Sequence, residues 1–240
     1  MYSVGVDGCR AGWLAVKLTP DSNWEVRVFP EFASLYQAYS TASAILVDIP
    51  IGLKDSGREE RRCDQEARRL LGARKFSVFP VPCRAAIYAE TLDAALEISE
   101  RLEEGKRIFP ATWNIVAKIR QVDELLLNEA QAQKIVREAH PELCFWGLAG
   151  GKPMAYPKKK REGFEERISL LRLWQPHVEA IISHGMANYL RKEVMKDDIV
   201  DALAAGLTGL LAGDHLVSIP EPPEFDPRGL RMEMVYYLPC

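Results

Sequence analysis

Residues 4–16 read VGVDGCRAGWLAV, in which two apolar runs flank a short turn that follows Asp7. The two runs predict neighbouring strands, and Asp7 ends the first of them. A carboxylate between two buried strands is costly to desolvate unless it has a partner. Carboxylate oxygens are preferred ligands of Mg²⁺. Asp7 is therefore a candidate metal ligand, provided that other acids of the chain accompany it.

The elements around this turn predict an α/β protein. Residues 2–7, 12–19 and 24–30 read as three strands of a meander, because turns rich in Gly, Pro, Asp and Asn separate them. A helix is predicted at 32–43. The apolar run 44–50 predicts a strand buried on both faces, as parallel strands are.

The remaining chain is mostly helical in its pattern. Apolar periodicity predicts helices at 58–72, 92–104, 113–127, 162–174, 177–191 and 197–212. A fifth strand is expected within 134–145, interrupted by Pro141, and a closing strand within 232–237. We expect one domain over residues 1–240, with a mainly helical insertion at 55–132.

Four aspartates are expected to meet at one edge of this sheet. Asp7 and Asp48 each end a strand, and they become neighbours if these two strands pair in parallel. Asp198 and Asp201 are three residues apart on a helix and so share a face. Carboxylates that meet at one point repel one another unless divalent cations lie between them. The set predicts a site for Mg²⁺ or Mn²⁺ of the kind used in phosphoryl chemistry.

Each acid also has a structural interpretation. An aspartate after a strand often only stabilises a turn through its side chain, and this applies to Asp7 and Asp48. Asp197 and Asp198 can cap the helix that they begin, and we favour this role for Asp197. Asp201 lies deeper in the helix, so capping explains it less well.

The motifs that carry these acids resemble the DUF429 family, described as predicted RNase H-like nucleases. The matching stretches are Gly5 to Trp13, Asp48 to Leu53, Arg62-Cys63-Asp64 with Ala67-Arg68 and Leu71-Gly72, His140-Pro141-Glu142, and Asp197 to Leu203. Ala11 replaces a glycine that is common in the first motif, and Lys54 replaces a common proline after the second.

The resemblance implies a ribonuclease H-like core. Such a core is a five-stranded mixed sheet, with three antiparallel and two parallel strands, flanked by helices. The stretch Asp198 to Leu203 also resembles the final helix of Holliday-junction resolvases that share this core. By that analogy the ligands on the helix are Asp198 and Asp201, not Asp197. The resemblance transfers the fold more directly than the reaction.

The motif His140-Pro141-Glu142 has two interpretations. Glu142 is either a further catalytic residue, as a ligand or general base, or the partner of an arginine. For His140 we favour a hydrogen-bonded residue of the core over one that positions water or phosphate.

Several arginines are candidate contacts to nucleic acid, because guanidinium binds phosphate through two parallel hydrogen bonds. These residues are Arg10, Arg61, Arg62, Arg68 and Arg84. The alternative is a solvated face, since glutamates partly neutralise the helix at 58–72. The basic run at 158–161 is expected to be a mobile loop tip. For the aromatic residues Phe76, Phe79 and Trp113 we favour packing over stacking on bases.

Composition sets limits on the function. A net charge of −3 argues against wholesale non-specific binding of nucleic acid but allows a local basic patch. The five cysteines are scattered without a Cys-x-x-Cys pair, which predicts reduced thiols in a cytoplasmic protein rather than a zinc site. We expect no signal peptide and no membrane partner.

The sequence thus favours a metal-dependent nuclease that hydrolyses phosphodiester bonds in nucleic acid. One alternative is an actin-like ATPase or phosphotransferase, which normally needs a second related core half. Another is a non-catalytic nucleic-acid-binding module. The oligomeric state is open, with a homodimer as one alternative.

Overall fold

The computed structural model describes residues 1–239. The strands are β1 (Ser3–Cys9), β2 (Gly12–Leu18), β3 (Trp24–Phe29), β4 (Ala44–Val47), β5 (Val136–Glu138), β6 (Val217–Phe225) and β7 (Arg231–Tyr236). The helices are α1 (Phe32–Tyr39), α2 (Arg62–Leu71), α3 (Arg84–Ile87), α4 (Leu92–Leu102), α5 (Pro110–Asn114), α6 (Val116–Asn128), α7 (Ala132–Ile135), α8 (Pro141–Leu148), α9 (Arg161–Arg172), α10 (Val178–Asn188) and α11 (Lys196–Ala212). A 3₁₀ segment, Gly72–Ser77, follows α2.

The main sheet has the order β3-β2-β1-β4-β5. The first three strands form an antiparallel meander, whereas β4 pairs in parallel with both β1 and β5. The predicted ribonuclease H-like architecture, a five-stranded mixed sheet flanked by helices, is therefore confirmed.

Side chains along the central strands point alternately to the two faces of the sheet, so a core forms on each face. Val4 and Val6 of β1 lie in the core beneath α1 and α6, whereas Leu46 of β4 lies in the opposite core with α11. Side chains two residues apart share a face of a strand. Gly5 faces α11, and the same periodicity directs Asp7 to that side.

The fifth strand is shorter than predicted. Only Val136–Glu138 pairs with β4, and Pro141 begins α8 instead of interrupting a strand. Proline is well suited to the first turn of a helix because its missing N–H is not needed there. His140 caps the helix by accepting a hydrogen bond from the amide of Glu142. The predicted strand at 134–145 is thus wrong outside Val136–Glu138, since residues 134 and 135 belong to α7.

The C-terminal segment forms a hairpin that the sequence did not predict in full. The predicted closing strand is β7, and it pairs with β6 in a separate two-stranded sheet. Prolines within β6 argue against a strand when read from sequence alone. The register shift between Ile219 and Glu224 accommodates them, because residues there leave the regular ladder.

The chain between β4 and β5 is helical, but its helices pack in two places. Ile119 and Val122 of α6 lie in the core under the main sheet. Cys63 and Leu71 of α2 pack with Met234 of β7 in a smaller core. The segment thus contributes to the main core and also places α2 against the C-terminal hairpin.

No helix within residues 1–239 is both long and apolar enough to cross a bilayer. Four thiols are free and buried: Cys9, Cys63, Cys83 and Cys144. The prediction for Cys240 falls outside the described residues.

Candidate active site at the carboxyl edge of the sheet

Parallel pairing of β1 with β4 brings Asp7 and Asp48 to neighbouring positions. Val6 pairs with Val47, and the amide of Asp48 donates to the carbonyl of Val6 over 3.0 Å. The prediction that Asp7 and Asp48 are neighbours required parallel pairing of these two strands, and the strands do pair in parallel. Asp48 follows β4 directly, whereas β1 continues to Cys9 and Asp7 lies within it, immediately after its last parallel pair with β4. Both aspartates thus lie at the carboxyl edge of the parallel pair, where sites of α/β proteins gather.

Close packing of α11 on β1 brings Asp201 to the same edge. A Cβ placed on Gly5 would lie 1.9 Å from the carbonyl oxygen of Ala202 and 2.1 Å from the amide nitrogen of Gly206. Real Cβ atoms do not approach backbone that closely, so only glycine permits this contact. Neither Gly5 nor Gly206 was recognised from sequence as a residue that positions the site.

Asp201 is buried and paired with a lysine. Its carboxylate is 2% exposed and accepts a hydrogen bond from Nζ of Lys158 over 2.7 Å. Burial nevertheless raises the pKa of Asp201 to about 6, against the opposing effect of Lys158. The contact in turn raises the pKa of Lys158 above its usual range. Lys158 is thus a cation of the chain itself that lies within the acid cluster.

Asp7 and Asp48 lack such a partner. Within residues 1–239, neither carboxylate takes part in a hydrogen bond or an ion pair with another side chain. Burial raises the pKa of Asp7 well above its usual value, and the charges of Asp48, Asp201 and Asp198 raise it further. Burial also raises the pKa of Asp48. Positive charge nearby only opposes these shifts: Lys158 lowers the pKa of both groups, and His140 lowers that of Asp48. Two adjacent carboxylates therefore remain without a side chain that binds them directly.

Asp198, not Asp197, makes the capping contact of α11. Its Oδ2 accepts a hydrogen bond from the amide of Met195 over 2.8 Å. The capping hydrogen bond that we favoured for Asp197 is thus made by Asp198, because the side chain at the third helical position reaches back to the preceding amide. Asp197 lies in the first turn of α11, where its charge complements the helix dipole as predicted. Asp197 also lines a cleft together with Asp48 and Asp201. Asp198 as a metal ligand stays a prediction.

The donor chemistry fits a hard cation, although the acids do not form a closed cage. In the described part of the chain, no group of three or more His, Cys, Asp or Glu side chains is arranged to hold a metal ion. Mg²⁺ is often bound by only one or two carboxylates, with waters and substrate phosphates as its other ligands. The unpaired carboxylates of Asp7 and Asp48 match that smaller requirement.

Two adjoining clefts open at this edge, and Asp48, His140 and Phe79 line both. Asp7 lines the smaller cleft, of about 280 Å³, together with Asp48. The larger, which we call the main cleft, has about 670 Å³ and contains Asp201. Its other walls include Lys158, Lys159, Arg74, Phe76 and Phe79.

A model of the DUF429 family, a protein family of unknown function, matches residues 5–225. The chain belongs to the DUF429 family. The match includes the strand ends that carry Asp7 and Asp48 and the helix that carries Asp201. Comparison with the curated proteins gave no match.

In this DUF429 chain, His140 and Glu142 both make hydrogen bonds within the fold. The Nε2–H of His140 donates to the carbonyl of Ser77 over 3.2 Å, and Nδ1 accepts from the amide of Glu142. Glu142 accepts from Arg167, which is the arginine pairing that one interpretation expected. Its second oxygen, Oε2, has no partner among the described residues. A catalytic role for Glu142 stays a prediction.

Arg61 and Arg84 are structural residues in this fold, contrary to the predicted contacts with nucleic acid. Arg61 is 2% exposed and binds both Asp64 and Glu138. Arg84 is buried and bridges Asp123 and Asp226, over 2.7 Å to the former. Each of these buried guanidinium groups already pairs with two carboxylates, so its charge is not available to a phosphate.

The other predicted arginines lie nearer to solvent. Arg10 is exposed, and Arg62 is exposed with an ion pair to Glu66 over 2.7 Å. Arg68 is half-buried and binds Glu60 and the carbonyl of Val78. Contacts of these three arginines with nucleic acid stay predictions.

Two residues at the site were not recognised from sequence. Lys158 was expected at a mobile loop tip, but its ammonium binds Asp201. Phe76 was expected to pack, but its side chain is 78% exposed at the main cleft. The basic run at 158–161 was a usable signal for the first residue, whereas exposure of a phenylalanine depends on packing that sequence does not display.

Proposed function

We propose that the protein is a divalent-metal-dependent nuclease that hydrolyses phosphodiester bonds in nucleic acid. The observation that carries this proposal is the pair of carboxylates without a side-chain partner, Asp7 and Asp48, at the carboxyl edge of a ribonuclease H-like sheet. Such a pair is unfavourable without a cation, because burial and mutual repulsion both oppose its charge.

Asp7 and Asp48 would hold Mg²⁺ or Mn²⁺, which supplies a polarised phosphoryl oxygen and a bound water of lowered pKa. Asp201 adds negative charge behind this pair, and Lys158 limits that charge through its ion pair. The side chain of Lys158 is 41% exposed. Its ammonium can therefore move from Asp201 to a substrate phosphate. Lys159 and Arg74 add positive charge along the main cleft, where a phosphate backbone is to bind.

The proposal is tested by metal binding and cleavage measured separately. Calorimetry with Mn²⁺ should show binding to the wild type that Asp7→Asn and Asp48→Asn each weaken at least tenfold. Asp214→Asn is the matched control, because Asp214 is exposed beyond the opposite end of α11. Cleavage should be measured on single-stranded, duplex, hybrid and branched substrates. The proposal fails if the wild type neither binds Mn²⁺ nor cleaves any of these substrates.

No observation favours the ATPase alternative. That class needs a second related core half, whereas residues 1–239 contain one five-stranded sheet and one two-stranded sheet. A nucleotide-dependent rise in the melting temperature that Mn²⁺ alone does not produce would support it instead.

A further inference from the structure

The main cleft has an exposed aromatic wall. Phe76, at the end of the 3₁₀ segment Gly72–Ser77, is 78% exposed, and Phe79 is 42% exposed. Phe79 also contacts Phe109, with ring centroids 6.3 Å apart. Isolated exposed apolar residues are common on protein surfaces. Here, however, two phenylalanines line the same cleft as Asp48 and Asp201.

The backbone that carries these rings is anchored to the catalytic edge. The carbonyl of Ser77 accepts from Nε2 of His140, and the carbonyl of Val78 accepts from Nε of Arg68 over 3.0 Å. His140 itself caps α8. The backbone of the aromatic wall is therefore held at a set position relative to the acids, which reduces the backbone entropy lost when a ligand binds.

The same cleft offers unused positive charge. Arg74 lines this cleft and makes no ion pair within residues 1–239. Lys159 is exposed on the cleft wall and also makes no ion pair with residues 1–239. A guanidinium and an ammonium that have no carboxylate partner are both suited to bind an anionic ligand such as phosphate.

We propose that the main cleft binds an unpaired nucleotide, with its base stacked on Phe76 and its phosphate beside Arg74 and Lys159. The cleft volume of about 670 Å³ lies within the range of about 300–1,000 Å³ that is typical of small-ligand sites. Bases inside a duplex already stack on their neighbours, so only a single-stranded or extruded base can lie on the ring. The site therefore selects nucleic acid with unpaired nucleotides, and this inference rests on the proposed nuclease function.

The test compares two single strands of equal length, an oligothymidine and its abasic analogue. Binding is followed by fluorescence anisotropy with Ca²⁺ in place of Mn²⁺. The wild type should bind the oligothymidine more tightly than the abasic strand. Phe76→Ala should weaken binding of the oligothymidine roughly 5- to 150-fold, the range expected for loss of one stacked base, and leave the abasic strand unchanged. Phe76→Trp should retain the preference.

Phe225→Ala is the matched control, since Phe225 is 57% exposed and lines a different cleft. Equal affinity of the wild type for both strands, or binding of neither, overturns the inference. An equal loss on both strands with Phe76→Ala also overturns it. Base-dependent binding without cleavage would refute the nuclease and keep the stacking site. Cleavage without base-dependent binding would refute the stacking site and keep the nuclease.

Discussion

Lys158 binds Asp201 over 2.7 Å and so places an ammonium of the chain beside the acid cluster. Its charge lowers the pKa of Asp7 and of Asp48 as well, against the effect of burial. Lys158 lies in the segment between α8 and α9, whereas the acids lie on strand ends and α11. The pair therefore links two parts of the chain that are distant in sequence, and the charge of Lys158 also reaches the acids of β1 and β4.

Removal of this ammonium is expected to destabilise the protein and to increase its response to metal. Lys158→Ala leaves the Asp201 carboxylate buried without a partner, at a cost of about 1–2 kcal/mol after allowance for the exposed lysine side chain. This cost corresponds to a fall in melting temperature of roughly 2–8 °C. Mn²⁺ should raise the melting temperature of this variant more than that of the wild type. Lys159→Ala is the control, and equal metal responses in all three proteins would contradict the prediction.

Replacement of Asp7 by its neutral isostere should stabilise the metal-free protein. Burial and the charge of Asp48 both oppose ionisation of Asp7, so Asp7→Asn removes an unfavourable charge and is expected to raise the free energy of unfolding at neutral pH. Urea unfolding in the presence of a chelator measures this gain. The same variant should lose the stabilisation by Mn²⁺. A destabilised metal-free Asp7→Asn would mean that the carboxylate is neutralised within the fold.

The contact between Gly5 and α11 predicts a large effect of a single methyl group. Gly5→Ala places Cβ 1.9 Å from a backbone oxygen, so the helix must move away from the sheet. We expect a loss of about 3 kcal/mol or more in the free energy of unfolding. In Gly8→Ala the nearest atom is Cδ of the flexible Lys118, at 2.7 Å, so this control should cost less than half as much. Equal losses in urea unfolding would show that α11 tolerates displacement.

Glu138 should make stability decrease with pH in the neutral range. Burial raises its pKa from 4.5 to about 7, although Arg61 opposes the shift. Because the folded pKa lies above the unfolded one, the stabilising contribution is complete below pH 4.5 and is lost as the pH rises through about 7. A tenfold difference in proton affinity is about 1.4 kcal/mol, so the total effect is about 3 kcal/mol.

The measurement for Glu138 is urea unfolding of the wild type and Glu138→Gln between pH 5 and 8. The stability of the wild type relative to the variant should fall across this range. Glu221→Gln, an exposed glutamate, should follow the wild type at every pH. Parallel profiles for the wild type and Glu138→Gln would refute the raised pKa.

Adjacent arginines at the start of α2, Arg61 before its first turn and Arg62 in it, are expected to behave in opposite ways. Arg61→Met leaves Asp64 and Glu138 buried without their cation and should cost about 3–5 kcal/mol. Arg62→Met removes only an exposed pair with Glu66 and should cost less than about 1 kcal/mol. Thermal unfolding of the two variants decides this. If Arg61→Met retained wild-type stability and lost only affinity for nucleic acid, the original prediction of a phosphate contact would be restored.

The local sequence pattern was sufficient to predict most elements whose apolar residues are regularly spaced. The meander, the buried strand β4 and the acid-bearing helix α11 were all predicted, because continuous apolar runs and helical periodicity arise from neighbours in sequence. The strand β6 was missed, since its prolines contradict local propensity and its pairing with β7 compensates for them. The end of β5 was also misplaced, because Pro141 begins a helix as readily as it ends a strand.

The sequence by itself determined which acids stand at strand ends and on α11, and hence the type of site. Only the tertiary structure decided how their charges are distributed. Asp7 and Asp48 remain unpaired, Asp198 caps a helix, and Asp201 binds Lys158 from a distant loop. The physical reason is that desolvation and charge pairing depend on distances in space between residues far apart in the chain. The same reason separates buried Arg61 from exposed Arg62, which are adjacent in sequence.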